Sequence, residues 1–155
     1  MDLSLFVFIG ACVAAASSGA IFRPGQWYER LNKPRWRPPN WLFGPAWFVL
    51  YAMIAVSGWL IWKTAGMAAA PALALYGFQL VLNATWSGIF FGMRRLGLAL
   101  AEMALMWLAI LATIIAFWPI DRGAAMLLLP YLAWVAFAFT LNASIWRRNP
   151  RPVSA

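Results

Sequence analysis

The 155-residue chain has no histidine, one cysteine and only four acidic residues. Without histidine there is no His-ligated haem, no ordinary zinc site and no imidazole general base. Cys12 stands alone, which excludes an intramolecular disulfide and a cysteine cluster, and it reads as a small apolar helix residue. No metal site and no cofactor motif is legible. Charge is equally scarce. Only 10% of residues are charged and 65% are apolar, against about a quarter charged and under half apolar in a soluble domain. The excess has no place on a water-facing surface. The longest stretch outside the apolar runs is 23–40, too short for a separate soluble domain, so residues 1–155 form one unit.

Five apolar runs can be drawn, at 3–22, 41–62, 71–92, 97–118 and 124–146. Each reaches the ~20 residues that cross a bilayer as a helix. A membrane barrel would alternate apolar and polar residues, and Met103–Phe117 does not. The expected fold is therefore all-α, an integral membrane bundle of five transmembrane helices. Pro45 and Pro130 fall inside runs and are expected to kink them. Pro71 starts the third run, where its missing N–H costs nothing, and Pro119 ends the fourth. No internal repeat is visible, so the inverted-repeat plan of many transporters is not indicated. The amino terminus begins Met1-Asp2, without the positive charge of a cleaved signal, so the first run is expected to remain as a helix.

Twelve Lys and Arg residues divide unevenly. With five crossings, loop 23–40, loop 93–96 and the tail after 146 share one side and hold ten of them. Lys63 and Arg122 are alone on the other. The positive-inside rule puts the ten in the cytoplasm, with the amino terminus outside and the carboxyl terminus inside. Helical spans favour a bacterial inner membrane. The high pI follows from this anchoring, and no folded basic surface exists to hold nucleic acid.

The one acid inside a run is Glu102. A carboxylate within a span marks a functional site by default. Its place about one turn from the run's start, near Arg94 and Arg95, favours a structural reading instead. Tryptophan is the abundant residue, with eleven copies. Trp27, Trp36, Trp41, Trp62, Trp118 and Trp146 lie at run ends or in loops and suit an interfacial belt. Trp107 lies mid-run among apolar neighbours and reads as packing or lipid contact. Trp47, Trp86 and Trp134 share helical faces with other residues of interest. Gln79, Asn83, Trp86 and Phe90 form one stripe, Trp134, Ala138, Leu141 and Asn142 another, and Phe43, Trp47, Leu50, Tyr51 and Ile54 a third. Amides within a span must face a partner or a cavity. Interhelical glue and an aromatic-walled pocket both satisfy that demand. Loop 23–40, dense in rings, prolines and cations, has the composition of a lid.

Lys33-Pro34-x-Trp36-x-Pro38-Pro39-x-Trp41-x-Phe43-Gly44-Pro45-x-Trp47, followed by Leu50-Tyr51, resembles the signature of the TspO/MBR family, the translocator proteins also called peripheral benzodiazepine receptors. Gln79-Leu80-x-Leu82-Asn83-x-x-Trp86, Phe90-Phe91-Gly92, Pro130-Tyr131-Leu132-Ala133-Trp134 and Leu141-Asn142 agree with it in order. The resemblance implies a five-helix membrane protein, often a homodimer, with a cavity beneath the first loop. It implies binding of porphyrins such as protoporphyrin IX, of benzodiazepine-site ligands and of other hydrophobic small molecules, within membrane lipid. The ligand-binding residues it implies are Ala20, Trp27, Tyr28, Trp47, Leu50, Tyr51, Asn83, Trp86, Trp134, Ala138 and Leu141. The expected function is a tryptophan-rich receptor or sensor that regulates tetrapyrrole metabolism. The alternatives are a transporter of tetrapyrroles or lipids, and an enzyme that degrades porphyrin in light. In the last, Trp47 and Trp134 are the catalytic candidates, through photo-oxidation. Any tetrapyrrole is held without histidine. Two departures stand out. Ala143 and Ser144 replace the tyrosines of the animal sterol motif, so weaker cholesterol binding is expected. The third-run GxxxG of animal members is Ala74-x-x-x-Phe78 here, and Gly88-x-x-x-Gly92 is the remaining small-residue pair.

The charge split carries a direct test. A cytosol-dependent reporter fused after Ala155 is expected to be active, and a periplasm-dependent one silent. Periplasmic activity would reverse the orientation.

Overall fold

The computed structural model describes the backbone of residues 3–21, 26–37 and 40–149, and the side chains of 3–17, 27–37 and 41–149. The elements are α1 (Ser4–Ile21), α2 (Gln26–Arg30), α3 (Asn40–Ala65), α4 (Ala70–Ser87), α5 (Leu96–Phe117), α6 (Arg122–Leu127) and α7 (Leu129–Arg148). Among the described residues there is no strand. Three helical stretches are long and apolar enough to cross a membrane: Trp41–Gly92, Leu96–Phe117 and Arg122–Arg148. The first is 52 residues long, roughly 78 Å at 1.5 Å per residue, more than twice a ~30 Å hydrocarbon core. It reverses at a 3-10 turn, Gly66–Ala69, where Gly66 takes φ +54. A side chain rarely tolerates that angle, and glycine does. The five expected membrane helices are thus α1, α3, α4, α5 and α7.

Two sequence expectations need correction, and loop 23–40 carries one short helix, α2 (Gln26–Arg30). The fifth run is not one kinked helix. It breaks at Leu128 into α6 and α7, and Pro130 lies in the first turn of α7, where a missing N–H breaks no bond. Asp121 caps α6, its carboxylate accepting from the Ala124 N–H at 3.1 Å. Gly88–Gly92 is a π turn rather than a helix-packing pair. Pro45 does lie inside α3, near its start, and Pro71 opens α4 as expected.

The helices close a ring in the order α3, α1, α4, α5, α7, with α1 wedged between α3 and α4. The short α6 packs on α3 at the end away from α2. There the buried Ser57 hydroxyl donates to the Ala124 carbonyl at 2.8 Å. The ring joins only loosely between α3 and α7. That seam is filled by side chains: Phe43 and Trp47 meet Trp134 edge-on, at 5.8 and 6.3 Å between ring centroids.

A close crossing of α1, α3 and α4 depends on Gly58. The buried Tyr76 ring crosses it to donate a 2.8 Å hydrogen bond to the Ile54 carbonyl. A Cβ on Gly58 would lie 2.6 Å from Tyr76 Cζ and 2.7 Å from Phe8 Cδ1. Gly58→Ala is therefore expected to destabilise the bundle by about 1–3 kcal/mol through overpacking. Gly77 has nothing within 4 Å of its would-be Cβ, so Gly77→Ala should be neutral or slightly stabilising. Melting temperatures in one detergent would show the difference, and equal shifts would refute it.

Candidate ligand-binding cavity

The ring encloses a cavity of about 760 Å³, within the range of small-molecule pockets. Its aromatic wall comes from Phe43, Trp47 and Tyr51 on α3, Trp86 on α4, Phe90 and Phe91 on the π turn, and Trp134 on α7. The π turn matters for that wall. Its wider bonds run from Met93 N–H to the Gly88 carbonyl (2.7 Å) and from Arg95 N–H to the Ile89 carbonyl (3.1 Å). Both Phe90 and Phe91 then border the cavity, 4.7 Å apart. Such turns are frequent at functional sites.

Of the residues expected to bind ligand, Tyr28, Trp47, Tyr51, Asn83, Trp86, Trp134, Ala138 and Leu141 border this cavity. Leu50 does not. It is buried in the helix core, one residue from the cavity-facing Tyr51. Trp27 does not border it either. It is buried beneath α2, edge-on to Phe90 at 5.8 Å, with the Arg94 guanidinium 5.7 Å from its ring centre. Burial also removes Trp27 from the interfacial belt, whereas Trp36, Trp41, Trp118 and Trp146 are exposed as that belt requires. The side chain of Ala20 lies outside the described residues.

The polar content of the site is small and ordered. Tyr51 Oη donates to Asn83 Oδ1 (2.5 Å), Asn83 Nδ2 donates to Tyr131 Oη (2.7 Å), and Tyr131 Oη donates to Gln79 Oε1 (2.8 Å). Separately, Trp86 Nε1 donates to Asn142 Oδ1 (3.2 Å), and Asn142 Nδ2 donates to the Leu96 carbonyl (3.3 Å). Both readings of the amides are thus realised at once. Asn83 and Asn142 join helices, and both also border the cavity.

Sequence reasoning missed the contribution of α1. Ile9, Cys12, Val13 and Ala16 line one side, but a run of small apolar residues gives no sign of what it faces. Met103 and Met106 also border the cavity, while Trp107 is half-buried and packs against the core. Glu102 departs from its expected setting, since both carboxylate oxygens are buried without a hydrogen-bond partner among the described residues. Arg94 is turned to Trp27 instead.

The cavity is not sealed. Val13 and Phe48 line it yet are 62% and 77% exposed, so it opens sideways between α1 and α3. Its loop end is covered by α2, where Tyr28 packs on Phe90 and Phe91. Lys33 holds the end of α2, its ammonium donating to the Tyr28 carbonyl at 2.7 Å and lying 4.5 Å from the Tyr28 ring centre. Burial, reinforced by Arg37, holds the Lys33 ammonium below the usual lysine range. Burial pushes the Tyr28 hydroxyl up, so it stays neutral at physiological pH.

A five-helix membrane protein built around an aromatic cavity is the class that this fold and site define. The TspO/MBR family model matches residues 8–147. Protein CrtK of Rhodobacter capsulatus is 42% identical, covering 97% of this chain and 96% of its own length. A tryptophan-rich sensory protein of Cereibacter sphaeroides is also 42% identical, over 96% of this chain and 94% of its own. The human translocator protein is 45% identical, over 80% and 75% respectively. The chain belongs to the TspO/MBR family.

The segment after α2 is fastened to the end of α7 by a side chain that no sequence pattern marks. Asn149, just past α7, accepts from the Asn32 N–H (3.0 Å) and donates to the Asn32 carbonyl (2.9 Å) and the Ile145 carbonyl (2.7 Å). Asn149→Ala should raise amide hydrogen exchange across residues 27–33 at every pH. Asn149→Asp should do so only when ionised, because a protonated carboxyl can still donate to Asn32. With an ordinary Asp pKa near ~3.9, its exchange should approach wild type at about pH 3 and the Ala variant at about pH 7, after correction for intrinsic rates. Equal behaviour of the two variants at both pH values would rule out the clasp.

Proposed function

We propose that this protein is a membrane receptor or sensor that binds porphyrin-type and other flat hydrophobic ligands in the cavity and thereby regulates tetrapyrrole metabolism. The observation that carries this reading is the cavity itself: about 760 Å³, walled by nine aromatic side chains, Tyr28 and Phe48 included, with Asn83 and Asn142 supplying the amide groups. Apolar walls bury a macrocycle, and a few placed polar groups orient it. The cations of the loop end, Lys33, Arg35 and Arg37 among them, suit carboxylates that remain near water. The names of the relatives, a sensory protein and a translocator protein, agree with a sensing or carrying role. The carboxyl terminus faces the cytoplasm of a bacterial inner membrane, and two copies assemble as a homodimer.

One observation favours a second, degradative reading. Trp47 and Trp134 are 6.3 Å apart between centroids and both border the cavity. A porphyrin excited by light generates reactive oxygen. Without any histidine, these electron-rich indoles are oxidisable groups beside it, together with Trp86, Met103, Met106 and Cys12.

Titration with protoporphyrin IX is expected to quench tryptophan emission. Aromatic stacking contributes roughly 0.5–1.5 kcal/mol beyond burial, so Trp47→Phe or Trp134→Phe should weaken binding by up to about tenfold. Under illumination each should slow porphyrin loss more than it weakens binding. Trp107→Phe is the control, because Trp107 packs against the core outside the cavity. Equal damage from the control would move the ligand elsewhere, and no quenching of the wild type would end the porphyrin reading.

A further inference from the structure

The hydrogen-bond chain at the cavity wall has a direction. Tyr51, Asn83 and Tyr131 each donate toward Gln79. Gln79 and Tyr131 are 1% and 0% exposed and do not border the cavity, whereas Tyr51 and Asn83 do. The proton of Tyr51 is therefore engaged inside the wall, and its oxygen is left with lone pairs only. Donation by Tyr51 also polarises that oxygen and makes it a better acceptor. With the Gln79 amide oriented oxygen toward Tyr131, the far end sets the sense. The Tyr131 proton has Gln79 Oε1 at 2.8 Å, and its one other acceptor among the described residues is the weakly accepting Met106 Sδ at 3.9 Å.

Resting on the hydrophobic-ligand reading above, we propose that the cavity selects ligands carrying an N–H or O–H donor, which meets the Tyr51 oxygen. Gln79 is the positioning residue that sets this preference through Tyr131 and Asn83. Without the Gln79 acceptor the Tyr131 proton turns to Asn83, the Asn83 amide reverses, and Tyr51 is left with its own proton facing the cavity. The wall then donates, and the preferred ligand carries a carbonyl.

Three flat tricycles of one outline separate these cases: carbazole with an N–H, fluorenone with a C=O, and fluorene with neither. Each is titrated into the purified protein in detergent, with partition into empty micelles subtracted. Wild type should bind carbazole about three- to tenfold more tightly than fluorene, the range of one net hydrogen bond, and fluorenone no more tightly than fluorene. Gln79→Glu keeps an acceptor oxygen and should keep that order. Gln79→Leu should lose the carbazole advantage and favour fluorenone. Tyr131→Phe breaks the chain while keeping the ring, and should bring carbazole down to fluorene. It decides the matter if Gln79→Leu does not fold.

A general packing defect would weaken all three probes together and leave their order unchanged. An unchanged order in Gln79→Leu or Tyr131→Phe overturns the role of the chain. A wild-type preference for fluorenone would mean that the remaining Asn83 N–H, not the Tyr51 oxygen, meets the ligand, and it also overturns the proposal. So does failure of all three probes to bind while protoporphyrin IX still quenches. Failure of protoporphyrin IX as well would bring down the broader reading instead.

Discussion

The hydrogen bond from Asn83 to Tyr131 is the contact on which the cavity depends. It joins α4 to α7 across the interior of an apolar bundle, where no lipid group can replace a lost partner. An unpaired buried amide costs about 1–3 kcal/mol, more than most individual contacts contribute. Asn83 in turn receives the Tyr51 proton, and the Tyr51 ring lies 5.5 Å from Trp47. Trp47 then meets both Tyr131 and Trp134 edge-on. One amide thus orients the rings that close the loose side of the helix ring. The polar and aromatic parts of the wall are one assembly.

The opposite requirement acts at the loop end, where cations gather around carbonyls and ring faces. Lys33 is pinned over Tyr28 by backbone carbonyls, and Arg94 over Trp27 by its ring face. Aromatic rings there give cations a place to rest on an apolar surface. The described members of all three basic segments lie at this end, near α2 and the Asn32–Asn149 pairing. The α2 cover and the charge asymmetry are therefore two aspects of the same end of the molecule.

Much of this was legible because a helix converts spacing into faces. Asn83, Trp86 and Phe90, and likewise Trp134, Ala138, Leu141 and Asn142, fall together at the cavity as their intervals required. Spacing identifies a shared face but not what that face meets. Leu50 and Tyr51 are adjacent on one stripe, yet one enters the core and the other the cavity. Gln79 begins the correct stripe and ends behind the wall. The break at Leu128 was hidden because α6 and α7 are both apolar and continuous in sequence. The Asn149 clasp pairs residues 117 positions apart, beyond any local pattern. The π turn at Gly88–Gly92 looks in sequence like a small-residue packing motif.

The sideways opening beside Val13 and Phe48 changes what an affinity measured on this protein means. A hydrophobic ligand entering by this opening would first dissolve in the bilayer and then reach the cavity across a two-dimensional boundary, not from bulk water. The relevant concentration is moles of ligand per mole of lipid. An apparent dissociation constant referred to the aqueous phase contains the membrane partition coefficient as a hidden factor. Two ligands with equal contacts inside the cavity would then differ in apparent strength by the ratio of their solubilities in lipid. Diluting the same protein into more bilayer would weaken both without altering any residue.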